Sequence, residues 1–136
     1  MKMSKTRLFV SKKLSANILI YIKNKQHHFL KNVLRIKKED SINLFDGFTG
    51  EWLSKVISIN RDNIVLQIQN KLRDIPQETD LWLIFAPIKS YRMNITIQKA
   101  TELGISRFIP ILTEYTNQSK INFKNFELNM IEASEQ

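Results

Sequence analysis

Apolar positions repeat at two different spacings along this chain, and the spacing changes near residue 75. Before that point the pattern is short and alternating. Leu8–Val10 and Asn17–Ile22 read as β-type runs. Ser41–Asp46 alternates with Ile42 and Leu44 on one face, Glu51–Ile59 follows as a strand, and Ile64–Gln69 alternates through Ile64, Leu66 and Ile68. Asp46-Gly47-Phe48-Thr49-Gly50 and Asn60-Arg61-Asp62-Asn63 supply the turns, the first with the residues of a hairpin. One helix is predicted here, Lys25–Arg35, with Phe29, Leu30, Val33 and Leu34 as its apolar side. Short strands, polar turns and one helix predict a small β-barrel. Trp52 and Phe48 are expected in its core, with base stacking as their alternative role.

Leu72–Thr79 breaks this pattern: it is polar and carries Pro76. The boundary is placed there, giving a barrel over 1–73, a linker over 74–80 and a second domain over 81–136. From Leu81 the text becomes α/β. Leu81–Phe85 is a continuous apolar run, as expected of a strand covered on both faces. Lys89–Gly104 reads as a helix whose Met93, Ile97, Ala100 and Leu103 fall on one side. Ser90 is the expected N-cap and Gly104 the expected C′ residue. Arg107–Leu112 is the next strand, and a last helix is predicted from about Phe126 to Gln136. The fold class is therefore mixed, a β-barrel followed by the first part of an α/β domain.

Charge is divided along the chain in the same way. The formal net charge is +8. Residues 1–38 hold eleven Lys or Arg and no Asp or Glu, whereas residues 75–136 hold six basic and seven acidic side chains. A localised polycation concentrates a polyanion and releases its condensed counterions on contact, so nucleic acid is the expected partner. Arg7, Arg35, Lys37 and Lys38 flank the barrel elements and suit phosphate contacts; His28 is a further RNA candidate. No stretch is apolar enough to span a bilayer and no signal segment is visible, which predicts a cytoplasmic protein. Zero Cys excludes disulfides and thiolate chemistry. His27 and His28 are adjacent and cannot face one site as a ligand pair, so no metal is expected.

The chemistry-bearing text is thin. With three glycines, Gly47, Gly50 and Gly104, no glycine-rich phosphate loop can be assembled. The positive signal is the loop and helix from Lys89 to Glu102. Lys89 and Arg92 follow the first strand of the α/β part, at the strand edge where open sheets hold ligands. Gln98 and Glu102 are four apart and share a helix face.

The run Arg92-Met-Asn-Ile-Thr-Ile-Gln-Lys-Ala-Thr-Glu-Leu-Gly-Ile-Ser-Arg-Phe-Ile-Pro-Ile-Leu-Thr-Glu114 resembles the opening of the catalytic domain of the bacterial 16S ribosomal RNA uridine-N3 methyltransferases, which belong to the knotted SPOUT class. His27-His-Phe-Leu-Lys-Asn-Val-Leu-Arg35 and Leu44-Phe-Asp-Gly47 resemble that family's PUA-like RNA-binding barrel. Ile131-Glu-Ala-Ser-Glu-Gln136 resembles the helix that follows. Tyr115 stands where the family commonly carries Arg.

The resemblance implies an S-adenosylmethionine-dependent methyltransferase, without metal, acting on 16S rRNA or the small ribosomal subunit. It implies a homodimer at full length. Arg92 and Glu102 become the candidate catalytic-site residues, Arg92 touching phosphate or base and Glu102 positioning the helix. Lys89 joins the RNA candidates. The glycine-rich cofactor loops of the family's C-terminal knot have no counterpart before Gln136. The chain is expected to stop short of them and to be inactive alone. The alternative is a non-catalytic RNA-binding module with a partial α/β appendage.

Overall fold

The structure, a computed structural model, describes residues 6–77, 79–116 and 120–136. The chain forms two compact units, Met1–Pro76 and Gln77–Gln136.

The first unit is a five-stranded sheet. Its strands are β1 (Arg7–Phe9), β2 (Leu19–Ile22), β3 (Ser41–Phe45), β4 (Glu51–Ile59) and β5 (Ile64–Arg73), in spatial order β1-β3-β4-β5-β2. The central three run antiparallel as a meander, β2 pairs antiparallel with β5, and β1 pairs parallel with β3 through Leu8↔Leu44. Every strand sends apolar side chains into one core. Leu8, Ile20, Ile22, Ile42, Leu44, Val56, Ile64, Leu66 and Ile68 are all buried there. A sheet whose strands all face one core is curved around it. Register shifts in the β4–β5 ladder, between Glu51 and Ser58, mark the bulges that allow such bending.

Helix α1 (Asn24–His28) and the π-helical turn Phe29–Val33 follow edge strand β2. Gln26 Nε2 donates to the Phe9 carbonyl at the end of the other edge strand, β1, at 2.8 Å. The helical segment thus bridges the two open edges. The single helix expected over Lys25–Arg35 is therefore corrected. Winding switches at Phe29, where Leu34 N–H reaches back five residues to the Phe29 carbonyl. The wider turn takes Val33 off the inner face. Only Leu30 is fully buried, Leu34 packs partly, and Phe29 and Val33 are exposed.

The second unit contains β6 (Trp82–Phe85), α2 (Ser90–Glu102), β7 (Arg107–Pro110) and α3 (Phe123–Glu135). β6 and β7 pair in parallel, as a crossover through a helix requires. Met93 and Ile97 of α2 and Phe126 of α3 form the core with Phe85, Phe108, Ile121 and Met130. Four expectations change here. β6 is not covered on both faces among the described residues: Leu83 and Phe85 are half-buried, while Trp82 and Ile84 are exposed, Ile84 at 59%. Leu103 leaves the helix face as its C-cap and is 81% exposed. The N-cap of α2 is Lys89 and not Ser90, with no side-chain capping bond. Gly104 does end the helix, at φ +87°. α3 begins three residues earlier than expected because Asn122 caps it, Oδ1 accepting from Asn125 N–H.

Gly50 tests the β3–β4 turn. It has φ +110°, and a Cβ there would lie 2.2 Å from the Arg73 carbonyl oxygen. Gly47 also has positive φ, but open space surrounds it. Gly50→Ala is therefore expected to destabilise the first unit by about 3 kcal/mol or more, and Gly47→Ala by about 1 kcal/mol. Urea midpoints followed by tryptophan fluorescence check this; equal midpoints would contradict the close approach at Gly50.

Candidate functional site

The sites begin with three buried carboxylates of the first unit. Asp46 is 0% exposed. Its Oδ2 accepts Leu14 N–H and Thr49 Oγ1–H, each at 2.7 Å, and its Oδ1 accepts Phe48 N–H at 2.8 Å and Thr49 N–H at 2.7 Å. Burial pushes this carboxyl up, but the hydrogen bonds from Thr49, Leu14 and Phe48 outweigh it and hold the pKa below its ordinary value. One ionised side chain thus shapes the β3–β4 turn and fastens the Ser11–Leu14 loop to it. Thr49 Oγ1 in turn accepts Trp52 Nε1–H at 2.9 Å.

Glu51, also buried, is the centre of an ion cluster. Arg73 donates to Oε2 through Nε (2.8 Å) and Nη2, Asn43 Nδ2 donates to Oε1 at 2.7 Å, and Arg7 Nη2 lies 3.4 Å from Oε2. Burial raises this carboxyl, and the Arg73 and Asn43 hydrogen bonds with the Arg7 and Arg73 charges bring it below the ordinary range. Arg7 also lies over the Phe45 ring at 4.6 Å. The structure therefore places Arg7 in a partly covered internal contact.

Asp40 builds the basic loop. It is 3% exposed, and its Oδ2 accepts Lys37 N–H at 2.8 Å while Asp40 N–H returns to the Lys37 carbonyl. This turn holds Lys37 and Lys38 outward. Arg35 stands just before it at φ +51°, where the π-helical turn ends and Ile36 N–H closes on the Leu30 carbonyl. Glu39, the acidic residue within the loop, is paired with Lys55, which lowers its pKa. Arg35, Lys37 and Lys38 are thus brought together and exposed. His28 is exposed on α1, whereas its neighbour His27 turns toward the Asn60 carbonyl, 3.3 Å from Nε2. Phe48, expected in the core, is 74% exposed at the turn tip; Trp52 does pack partly against the core.

In the second unit Lys89 and Arg92 lie one turn apart at the start of α2, beyond the C-terminal end of β6, and both are exposed. Glu102 is the last residue of α2, about 15 Å further along the axis, and is held by Lys99 at 2.8 Å. The helix joins Lys89 to Arg92 and keeps Glu102 apart from them. Sequence reasoning missed the amides between the helices. Asn94 Oδ1 accepts from Asn125 Nδ2 at 2.9 Å and from Asn129 Nδ2 at 3.1 Å, beside an open cleft lined by Pro87, Ser90, Met93 and Phe126. The i, i+4 spacing of Asn125 and Asn129 was its only trace in the sequence. Among the described residues no group of three or more His, Asp or Glu could hold a metal, and no helix is long and apolar enough to cross a membrane.

Two family models match in succession. An RNA methyltransferase PUA domain matches residues 22–69, and an RNA methyltransferase domain matches residues 76–136. They define the class: a PUA-type unit carried in front of an RNA methyltransferase domain. Together the two matches span most of the chain. Its similar relatives include the ribosomal RNA small subunit methyltransferases E of Rickettsia conorii and Buchnera aphidicola. The first is 31% identical over 98% of this chain and 55% of its own length; the second is 26% identical over 97% and 58%. The structure of the Neisseria gonorrhoeae ribosomal RNA small subunit methyltransferase E bound to S-adenosyl methionine superposes with a TM-score of 0.83. It is 23% identical and covers 96% of this chain and 56% of its own. The chain spans a little over half the length of these relatives.

Asp46 gives the sign of the pH dependence. Its pKa is depressed on folding, so its stabilisation is present above the ordinary carboxyl value of 3.8 and is lost as pH falls through the lower folded value. Asp46→Asn keeps the shape but opposes an amide to one of the N–H donors. It is expected to lower stability near neutral pH by about 3 kcal/mol, with the difference from the parent shrinking in acid. Urea midpoints between neutral pH and acid check this. A constant gap at all pH values would contradict ionisation as the cause.

Proposed function

We propose that this chain belongs to an S-adenosylmethionine-dependent enzyme that methylates N3 of a uridine in 16S rRNA, with the first unit holding the RNA. The observation that carries this is the order of the two units: a basic curved sheet, then a parallel strand–helix–strand, matched in turn by a PUA domain and an RNA methyltransferase domain. The proposed domain limits are 1–73 for the RNA-holding barrel and 81–136 for the methyltransferase part, joined by 74–80. The proposed partner is 16S rRNA or the small ribosomal subunit, and the whole protein is proposed to be a homodimer.

Residue roles follow from charge and position. Arg35, Lys37 and Lys38 present three cations on one loop and suit phosphates, which position RNA without reading its sequence. His28 is exposed on the preceding helix and adds a further contact. Arg7 is divided between Glu51 and solvent, so its contribution is chiefly to hold the edge strand. Lys89 meets RNA at the start of α2.

Uridine N3–H is a weak acid, and its proton must leave as the methyl arrives. As that proton passes to solvent, negative charge develops on the uracil oxygens until the N3–methyl bond is complete. Arg92, a permanent cation at the strand edge, is placed to stabilise that charge. Glu102, fixed by Lys99, acts as a positioning residue at the far end of α2. S-adenosylmethionine, when bound, supplies the electrophilic methyl. The described residues of the second unit do not fit it: their single glycine, Gly104, ends α2 and offers no cradle.

Filter binding to a 16S rRNA transcript is expected to weaken steeply between low and moderate salt, since three contacted phosphates alone give a slope near about −2. Salt-independent binding would remove the electrostatic reading. In the protein as the cell makes it, Arg92→Ala is expected to lower methyl transfer at least about tenfold without a change in melting temperature. Nuclease digestion and mass spectrometry identify the product base. An unchanged rate would remove Arg92 from the site, and RNA binding with no methylation at all would leave an RNA-binding module.

A further inference from the structure

Phe48 is an anomaly in the first unit. It is a large apolar ring, 74% exposed, on a turn whose Phe48 and Thr49 N–H groups both bond inward to Asp46. Such exposure is expected of a mobile tip, yet Phe48 N–H is held by the buried Asp46 at 2.8 Å and the next residue by two more bonds. The same carboxylate holds Leu14 N–H at 2.7 Å. Lys12 and Lys13 immediately precede Leu14, are exposed, and form no ion pair among the described residues. One buried anion therefore ties the backbone of Phe48 to that of Leu14, directly after the exposed Lys12 and Lys13. The site extends through Thr49 to Trp52, over whose ring Lys71 Nζ lies at 5.5 Å.

The carboxylates of the turn do not oppose a polyanion. Asp46 is consumed by four donors, and Glu51 is neutralised by Arg73 and Arg7. A single ring among lysines is also unlike an apolar protein-docking patch, which needs contiguous apolar area. The combination matches single-stranded nucleic acid, in which an unstacked base offers its face to a ring while flanking phosphates meet cations. A duplex presents such a face only at its ends.

We propose that Phe48, with Lys12 and Lys13, forms a docking point for one unpaired base of single-stranded RNA, the base stacking on the ring and the adjacent phosphates meeting the lysines. This rests on the reading of the first unit as the RNA-holding unit and names the form of RNA it takes there.

Fluorescence anisotropy of the 136-residue chain with labelled oligouridine, and with a blunt RNA duplex of equal length, tests it. The parent binds oligouridine. Phe48→Ala weakens that binding about tenfold and changes duplex binding less than about twofold, while Phe48→Trp retains both. Lys12→Ala with Lys13→Ala reduces the salt slope for oligouridine by about 1.4. Circular dichroism melts confirm that each variant is folded. Equal oligouridine affinity for Phe48→Ala and parent overturns the proposal. A parent that binds the 16S transcript but not oligouridine also overturns it and leaves the RNA-holding unit standing. A parent that binds no RNA removes both.

Discussion

A single ionised carboxylate, Asp46, joins two separate exposed loops of the first unit. A buried charge is tolerated only when hydrogen bonds replace its lost water. Here four donors do so, three from the turn that follows and one from Leu14 in a distant loop. The arrangement cannot be relaxed piecemeal, because each donor withdrawn leaves a buried anion less satisfied. The turn, the loop before β2 and the position of Trp52 are in this sense one object. Asp40 repeats the device on a smaller scale beneath Lys37 and Lys38. Acidic side chains inside a basic protein are therefore what hold its basic side chains outward.

The two units use their apolar residues differently. The first surrounds its core: α1 and the π-helical turn bridge the edges, and Leu30 fills the middle. The second keeps one covered layer, β6 and β7 against α2 and α3, with Trp82 and Ile84 exposed on the other side of β6. Arg107 over the Trp82 ring at 4.3 Å gives that exposed side a partial cover. The amide triad Asn94, Asn125 and Asn129 locks the two helices in register with bonds of fixed direction, which apolar packing alone would not supply.

Periodicity made the β3–β4–β5 meander legible, because alternation follows directly from a sheet with one buried face. Lys89–Gly104 was equally legible as a helix, with Met93, Ile97 and Ala100 inward. What stayed hidden were features decided by partners far along the chain. Asp46 looked like a turn residue because its fourth donor, Leu14, is remote in sequence. Arg7 looked like a surface cation because Glu51 and Phe45 meet it only after β1 joins β3. The change to π winding at Phe29 has no compositional signal, so Val33 was assigned inward and lies outward. Ile84 was assigned to a covered strand because an apolar run does not say which of its faces has a neighbour. Residue types therefore pointed to RNA and to the start of α2, while the link through Asp46 between Phe48 and the loop that carries Lys12 and Lys13 became visible only in three dimensions.

The parallel pairing of β1 with β3, inside a sheet that is otherwise antiparallel, has a consequence for biosynthesis. A ribosome releases β1 and β2 first, but their partners are β3 and β5, tens of residues later. Only the β3–β4–β5 meander can form from neighbouring hairpins, with low loop-closure entropy. The nascent chain therefore exposes residues 1–40, which carry all of its excess positive charge, until Arg73 has left the exit tunnel. During that interval the cationic segment hangs unpaired beside the ribosome's own RNA, and closing the sheet removes Arg7 from that exposed set by pairing it with Glu51.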